Sequence, residues 1–353
     1  MQAVFDGHND VLLRLWKRRN EGADPVADMT GGVADGHIDL PRARAGGLVG
    51  GLCAIYIPSG ALVLDKPRED GRYSTPLSEP LERAPSLDIA IEMAAIALQL
   101  ERAGSWKLCR SSTDIDAAMV GEKFAAVLHM EGCEAIGEDL AALEVFYAAG
   151  LRSLGPVWSR NNIFAHGVPF AYPMSPDTGP GLTDAGRALV RECNRLGVLI
   201  DLSHITEKGF WDVAELSDQP LVASHSNAHA LVPVARNLTD RQLGAIRESN
   251  GLVGLNFAVT MLRTDGRENA DTPISEMIRH IDYLVERLGI DGVAIGSDFD
   301  GALIPKEIGD ASGLQNLVAG LKSAGYGDGD LAKICRENWF RVLRSAWKEH
   351  PAN

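Results

Sequence analysis

Short apolar runs alternate with amphipathic stretches along most of the chain. The apolar runs lie at residues 3–8, 47–57, 123–131, 151–158, 197–204, 220–225, 251–257 and 292–298. Helical patterns lie between several of them, at residues 87–104, 183–197, 239–251 and 274–289. Nearly continuous apolar strands that alternate with helices are typical of a parallel sheet covered by helices. The pattern therefore predicts an α/β fold.

Eight strand and helix units favour a (β/α)8 TIM barrel that spans residues 1–353 as one catalytic domain and ends in a C-terminal helix. The alternative is a doubly wound open sheet. Its glycine-rich phosphate turn is missing, because "GGVADG" at residues 31–36 follows no predicted strand and opens no helix. Residues 58–85 after the second strand are polar and rich in proline, which is typical of a lid or binding loop.

Composition narrows the possible partners. Of 353 residues, 45% are hydrophobic and 23% are charged, and the net charge is −14. A nucleic-acid partner is not expected, because phosphate binding requires clustered basic residues. A membrane partner is not expected either, because no run approaches about 18 apolar residues. Without a secretory segment at its start, the sequence predicts a cytoplasmic protein. The five cysteines are widely spaced and are predicted to be core residues.

Ionisable side chains stand at the ends of the apolar runs, where buried strands rarely carry them. Six of these side chains follow five of the predicted strands: His8, Asp10, Glu131, His204, His225 and Asp298. In a barrel the carboxyl ends of the strands meet at the face that carries the active site. We therefore expect these six side chains to converge.

A bound cation would explain such a convergence, because burying unpaired ionised groups costs several kcal/mol. Imidazole nitrogens and carboxylate oxygens are ligands for Zn²⁺, and they also suit Mn²⁺, Co²⁺ and Fe²⁺. Three groups can hold one ion. The set is large enough for two ions if Glu131 bridges them at a separation of roughly 3.5 to 4 Å.

A single histidine in an apolar strand is more often a hydrogen-bonded core residue than a ligand, so the prediction depends on the whole set. His129 lies two residues before Glu131 and is predicted to support the site or fill the core. Asp6 is predicted to be a supporting or structural carboxylate. The remaining histidines have loop or helix contexts: His37, His166, His229, His280 and His350.

Six motifs, taken in order, resemble those of the renal or membrane dipeptidase family of zinc peptidases, a branch of the amidohydrolase superfamily. They are "DGHND" (6–10), "HMEGCEAI" (129–136), "DLSHI" (201–205), "ASHSNA" (223–228), "ARNL" (235–238) and "IGSDFDG" (295–301). Together they span almost the whole chain. The resemblance implies a (β/α)8 barrel with a two-zinc site.

Residue by residue, the resemblance implies that His8 and Asp10 bind one zinc ion and that His204 and His225 bind the other. Glu131 and a hydroxide would bridge the two ions. The remaining two assignments concern the reaction and the substrate. Asp298 would be the acid and base of the reaction, and Arg236 would hold the terminal carboxylate of the substrate.

Trp158 departs from the family pattern, because renal-type members carry a histidine at the end of strand four that is thought to steady the carbonyl oxygen. Arg160, Asn161 or Asn162 could replace that donor, or the metal alone could polarise the carbonyl. We therefore predict that Trp158 is a substrate-binding residue, with a packing residue of the pocket wall as the alternative, and that the substrate range is shifted.

The predicted activity is hydrolysis of dipeptides, including L,D-dipeptides, by a homodimer. Three alternatives remain open: an amidase for N-acyl amino acids, a lactonase and an inactive metal-binding barrel.

Overall fold

The computed structural model describes residues 1–60, 68, 71–120 and 123–348. Its strands are β1 (Val4–Asn9), β2 (Leu48–Tyr56), β3 (Tyr73–Thr75), β4 (Trp106–Leu108), β5 (Phe124–Glu131), β6 (Leu151–Gly155), β7 (Phe170–Tyr172), β8 (Leu199–Ile200), β9 (Val222–Ala223), β10 (Leu252–Leu255) and β11 (Val293–Ile295). Each of the eight apolar runs contains one of these strands, so their positions are predictable from hydrophobic patterning.

Helices follow most of the strands. They are α1 (Val11–Asn20), α2 (Pro25–Gly31), α3 (Leu40–Gly46), α4 (Arg83–Arg102), α5 (Ser112–Val120), α6 (Ala141–Ala149), α7 (Asp184–Leu196), α8 (Glu207–Leu216), α9 (Asp240–Glu248), α10 (Val259–Leu262), α11 (Ile274–Leu288), α12 (Leu314–Ser323), α13 (Asp328–Ala332) and α14 (Asn338–Ala346). Thr183 caps α7, and Thr239 forms a capping box with Gln242 at the start of α9. Such caps explain why both helices begin next to a threonine.

The strands form two main parallel sheets. The first has the order β1-β2-β5-β6-β8, with β4 also paired to β5, and the second has the order β11-β10-β9. The longest ladder of the first sheet pairs β2 with β5. It runs from Gly50 opposite Ala125 to Tyr56 opposite Glu131. This alternation of parallel strands with helices is an α/β fold, as predicted.

The two sheets meet at two seams, β8–β9 and β1–β11. A single bridge joins Asp201 to Val222 at the first seam, and another joins Asn9 to Phe299 at the second. An aspartate also links the strands at each seam. Asp201 accepts hydrogen bonds from the main-chain N–H and the hydroxyl of Ser224, and Asp6 accepts the same pair from Ser297. Side-chain carboxylates thus add to the main-chain hydrogen bonds at both seams.

Helix α14 packs against apolar side chains of the strands beneath the carboxyl-end face. One cluster contains Phe5, Leu52, Val127, Leu199, Val222, Leu252, Ala294 and, from α14, Trp339. The Trp339 indole N–H donates to the main-chain oxygen of Ile295 at 2.8 Å. A Cβ on Gly7 would collide with the Trp339 ring and lie 2.7 Å from the Ser224 main-chain oxygen. Glycine at position 7 therefore lets β1 approach its neighbours closely just before His8.

The predicted loop at residues 58–85 is only partly within the described residues, because 61–67, 69 and 70 lie outside them, as does His350. Within it, β3 pairs antiparallel with β7, and α4 begins at Arg83. All five cysteines are buried thiols. Among the described residues, no helix combines the length and the apolar character needed to cross a lipid bilayer.

Candidate metal centre

The six ionisable residues that end the apolar runs come together at the carboxyl ends of the strands. His8 lies on β1, Glu131 ends β5, and His204, His225 and Asp298 follow β8, β9 and β11. Asp10 follows β1, and its main-chain N–H donates to Phe299 across the β1–β11 seam. Asp298 is partly exposed, and the other five are buried. The predicted convergence is therefore present in the structure.

Glu131 lies between two groups of potential ligands. Its Oε2 is 3.6 Å from His8 Nε2, which in turn is 3.5 Å from Asp10 Oδ2. Its Oε1 is 3.0 Å from His204 Nε2 and 3.5 Å from His225 Nε2. The two oxygens of one carboxylate thus face separate sets of nitrogen and oxygen donors. With Glu131 included, each set makes a group of three residues whose ligand atoms lie within 4.8 Å of one another.

His8 provides a test of whether these residues suit a metal ion. The side chain is fully buried, yet neither ring nitrogen has a hydrogen-bond partner among the residues that the structure describes. Buried polar atoms are rarely left in this state. Burial opposes the charged imidazole, but Glu131 and Asp10 raise the pKa of His8 to about 10. A positive charge is therefore favoured at this point, and a cation beside neutral His8 would supply it.

His204 and His225 are held as neutral imidazoles, the form that binds metals. Burial lowers the pKa of both rings, and the charge on Arg236 lowers it further. Each Nδ1 atom contacts a serine hydroxyl, Ser159 for His204 at 2.9 Å and Ser224 for His225 at 2.8 Å. The Nε2 atoms point towards Glu131, so both rings are oriented as ligands would be.

Asp298 stands beside this cluster in the left-handed region of backbone space, with φ of 60°. Its N–H donates to the His8 main-chain oxygen, and its Oδ2 accepts a hydrogen bond from Asn256 at 2.9 Å. A Cβ on Gly301 would lie 2.5 Å from Asp298 Oδ1 and would also collide with Asp10 Oδ2. Burial raises the pKa of the Asp298 carboxyl, which makes it a better proton acceptor.

Arg236 contacts the cluster at His204 and His225. One of its Nη atoms lies 3.1 Å from His204 Nε2 and donates to the His225 main-chain oxygen at 3.3 Å. Burial lowers the pKa of the guanidinium to about 10, so Arg236 stays charged at neutral pH. A buried cation of this kind, at the edge of a cavity, is suited to binding a carboxylate.

Trp158 forms part of the cavity wall. Its ring lies 5.1 Å from Tyr56, 5.6 Å from Phe170 and 5.7 Å from His204, measured between centroids. The three proposed replacement donors point elsewhere. Arg160 pairs with Glu134 at 2.9 Å and bonds Ser59, whereas Asn161 and Asn162 bond main-chain groups of their own loop.

A cavity of about 390 Å³ opens above the cluster. Candidate ligands, Arg236, and aromatic and aliphatic side chains line it together. Its lining includes Asp10, Tyr56, Glu131, Trp158, Phe170, His204, Arg236, Met261, Asp298 and Leu303. The volume suits a small molecule such as a dipeptide.

Supporting residues were missed by sequence reasoning. Asp201 lies near both His129 and His225, Ser159 and Ser224 contact ligand imidazoles, and Asn256 holds Asp298. The signal for Asp201 is present in "DLSH", where a second ionisable residue ends the same apolar run. Serine and asparagine after a strand are too common to stand out. His129 itself bonds Ser153 below the cluster, as predicted for a supporting or core residue.

The chain is similar to several known proteins. A model of the family described as membrane dipeptidase (Peptidase family M19) matches residues 1–351. An "uncharacterized protein in pqqA 5'region" of Klebsiella pneumoniae is 48% identical over 265 residues, which cover 74% of this chain and 98% of the relative. Dipeptidase tcpJ of Claviceps purpurea (strain 20.1) is 27% identical over 342 residues, which cover 96% of this chain and 76% of that enzyme.

A solved structure is similar along nearly the full length. It is a metallo peptidase from Rhodobacter sphaeroides, liganded with a phosphinate mimic of the dipeptide L-Ala-D-Ala. It is 49% identical, has a TM-score of 0.93, and the match covers 98% of this chain and 99% of that one. The metallo-dipeptidase family predicted from the motifs is confirmed: the chain belongs to the membrane dipeptidase family, Peptidase family M19.

Proposed function

We propose that this protein is a metal-dependent dipeptidase that hydrolyses the peptide bond of small dipeptides. The proposal rests mainly on one observation, that the two oxygens of Glu131 face separate sets of donors. His8 and Asp10 would hold one zinc ion, His204 and His225 would hold a second, and Glu131 would bridge them. Bound zinc ions lower the pKa of water and polarise a carbonyl oxygen, which is the chemistry that amide hydrolysis requires.

Asp298 would move the proton in this reaction. Its raised pKa and its position beside Asp10 fit a general base that takes a proton from the attacking water. The same carboxyl would then give the proton to the departing amine. Asn256 would hold Asp298 Oδ2 in place during both transfers.

Arg236 would select substrates by length. Its fork can bind a carboxylate through two hydrogen bonds, and its distance from the cluster is fixed by contacts with His204, His225 and Ser226. A free C-terminal carboxylate would therefore bind only if the scissile bond lies one residue away. This arrangement favours dipeptides over longer peptides.

We also propose that L,D-dipeptides are substrates. The Rhodobacter sphaeroides relative, 49% identical, was crystallised with a mimic of L-Ala-D-Ala. Trp158, Tyr56 and Phe170 would bound the cavity and limit side-chain size. An N-acyl amino acid amidase or a lactonase would need the same ions but would not need a free amine. Glu268 also lines the cavity, and its carboxylate would pair with the ammonium group of a free dipeptide.

Three structural features belong to the same proposal. The bridges and aspartate contacts at the two seams support closure of the sheets into a (β/α)8 barrel. One family model over residues 1–351 supports a single catalytic domain. The lid or binding role of residues 58–85 is supported by Pro58 and Gly60, which line the cavity. A homodimer and a cytoplasmic location stay predictions from the sequence.

A substrate panel tests the proposal. Zinc-loaded protein is assayed with L-Ala-L-Ala, L-Ala-D-Ala, L-Ala-D-Ala amide, N-acetyl-D-Ala and a simple lactone. We expect hydrolysis of the two free dipeptides with kcat/KM at least about 100-fold above the other compounds, because only they present both end groups. A preference for N-acetyl-D-Ala or for the lactone would assign the site to a different hydrolase.

A further inference from the structure

Asp201 is a buried carboxylate that the reaction does not use directly. It is 3% exposed, and its Oδ1 accepts hydrogen bonds from the Ser203 N–H, the Ser203 hydroxyl and the Ser224 N–H at 3.2, 2.7 and 2.7 Å. Its Oδ2 accepts a hydrogen bond from the Ser224 hydroxyl at 2.6 Å. Both oxygens are thus occupied by protein donors, whereas the oxygens of Glu131 face imidazole nitrogens.

Ser224 connects this carboxylate to His225. The Ser224 Oγ lies 2.8 Å from His225 Nδ1. A hydroxyl has one proton, and a carboxylate can only accept. The Ser224 proton therefore points to Asp201, and the Ser224 oxygen accepts a hydrogen bond from His225 Nδ1–H. This direction leaves the lone pair of His225 on Nε2, the atom 3.5 Å from Glu131 Oε1.

We propose that Asp201 and Ser224 form a relay that fixes the tautomer and orientation of His225 for metal binding through Nε2. In this relay Asp201 is a positioning residue rather than a ligand. The nearest ring atom of His225 to Asp201 Oδ2 is Nδ1 at 3.9 Å, so the carboxylate acts through the hydroxyl. The relay rests on the proposed metal centre and assigns a role to two residues around it.

The relay predicts that two variants that look conservative both weaken metal binding. In Asp201→Asn the two main-chain N–H groups keep the amide oxygen on their side, so the amide nitrogen replaces Oδ2 and donates to Ser224. The Ser224 proton must then turn towards His225 Nδ1, which requires the tautomer that carries its proton on Nε2. That tautomer cannot bind a metal through Nε2, the atom that faces Glu131. Ser224→Ala removes the hydroxyl acceptor altogether.

Ser153→Ala is the matched control. Ser153 is also fully buried, and its Oγ also contacts the Nδ1 of a buried imidazole, that of His129, at 2.9 Å. His129 is not a candidate ligand. Ser153→Ala and Ser224→Ala therefore both remove a buried hydroxyl that contacts a histidine. Only Ser224→Ala removes it from a candidate ligand histidine.

The experiment measures zinc affinity by competition with a chromophoric chelator for the full-length protein and the three variants. Mutation of a residue that hydrogen-bonds a ligand histidine typically lowers metal affinity by about 10- to 100-fold. We expect Asp201→Asn and Ser224→Ala each to weaken one of the two zinc sites by about that factor. Ser153→Ala should stay within about twofold of the wild type. Histidine ¹⁵N NMR of the zinc-free protein should place the His225 proton on Nδ1 in the wild type and on Nε2 in Asp201→Asn.

Several results would overturn the relay. If Asp201→Asn weakens zinc binding but Ser224→Ala does not, Asp201 is itself a ligand. If all three variants weaken binding equally, the effect is one of packing. If the wild type binds two ions and the first two variants bind them as tightly, the relay has no role. A wild type that binds fewer than two ions would instead contradict the proposed function. Should Asp201→Asn fail to fold, the comparison of Ser224→Ala with Ser153→Ala decides alone.

Discussion

At the scale of single residues, the site depends on where one carboxylate is placed. Glu131 is 5% exposed, and its register opposite Tyr56 fixes it at the end of β5. Burial raises the pKa of its carboxyl, so an ionised Glu131 needs positive neighbours. The arrangement of His8, His204 and His225 around it explains why a cation fits and an apolar core would not.

Asp298 gives the first prediction. Asp298→Asn should bind two zinc ions but lower kcat by a factor on the order of 10² or more, because an amide cannot accept the proton. Asparagine tolerates the left-handed backbone that Asp298 adopts, so the loop should keep its conformation. Steady-state kinetics and metal analysis of the same sample test this. Turnover near the wild-type value with both ions bound would remove Asp298 from proton transfer.

Arg236 gives the second prediction. Arg236→Ala should reduce kcat/KM for L-Ala-L-Ala about 100-fold or more and reduce that for the corresponding dipeptide amide far less, because only the free acid pairs with the guanidinium. Arg236→Lys is the control that keeps a charge but loses the fork. Equal losses on acid and amide would show that Arg236 does not contact the terminal carboxylate.

The ligand candidates could be predicted from the sequence because they interrupt apolar runs at strand ends. His8, Glu131 and His225 each follow residues that a buried strand would favour, so their chemistry stood out. The roles of Ser224 and Asn256 could not be predicted in this way. Each depends on a contact between residues from different strands, and a polar residue after a strand is ordinary in any loop.

At the scale of elements, long strands were easier to predict than short ones. β2 and β5 extend for nine and eight residues and match their apolar runs closely. β8 and β9 have two residues each, although their runs are longer. Asp201 explains the difference, because its side chain accepts the Ser224 N–H that a continued ladder would pair with a main-chain oxygen. Hydrophobic patterning does not show where a side chain accepts such a main-chain hydrogen bond.

The cavity wall around Trp158 gives the third prediction. Trp158→Ala should raise kcat/KM for dipeptides with bulky side chains relative to L-Ala-L-Ala by about tenfold, because the ring limits space beside Tyr56 and Phe170. Zinc affinity should stay the same, since the Trp158 side chain is not a metal ligand. Trp158→Phe, which keeps an aromatic wall, should show a smaller change. Equal effects on all dipeptides would place Trp158 outside the specificity pocket.

Helix α11 gives the fourth prediction, which concerns pH. His280 is fully buried in α11, accepts the Ala228 N–H and contacts the Leu262 main-chain oxygen. Burial lowers the pKa of His280 to about 3. The unfolded chain binds this proton below about pH 6.5 and the folded protein does not, so stability falls as pH decreases.

This residue should therefore contribute a loss of about 1.4 kcal/mol in unfolding free energy between pH 7.5 and 5.5. His280→Gln keeps a hydrogen-bond donor and an acceptor but cannot titrate. Its unfolding free energy should therefore fall by about 1.4 kcal/mol less than that of the wild type over the same pH range. Denaturant unfolding of both proteins in the presence of chelator measures the difference. The same pH dependence in both proteins would show that His280 does not titrate on unfolding.

At the scale of the whole molecule, the fold determines which distant residues share one face. The parallel strands bring residues as distant in sequence as His8 and Asp298 to one face. The whole chain carries a net charge of −14. Arg236 and the predicted ions would supply positive charge within the site. Closure of the sheets was harder to predict than their existence, because the seams depend on single bridges and on Asp6 and Asp201.

The most direct test of the central claim is a zinc titration of metal-free protein, with bound zinc and hydrolysis of L-Ala-D-Ala measured at each point. We predict saturation at two ions per chain, with full activity reached only as the second ion binds. Glu131→Gln should lose high-affinity binding of at least one ion and lose activity with it. Full activity with one ion per chain, or activity that does not depend on zinc, would contradict the two-metal dipeptidase.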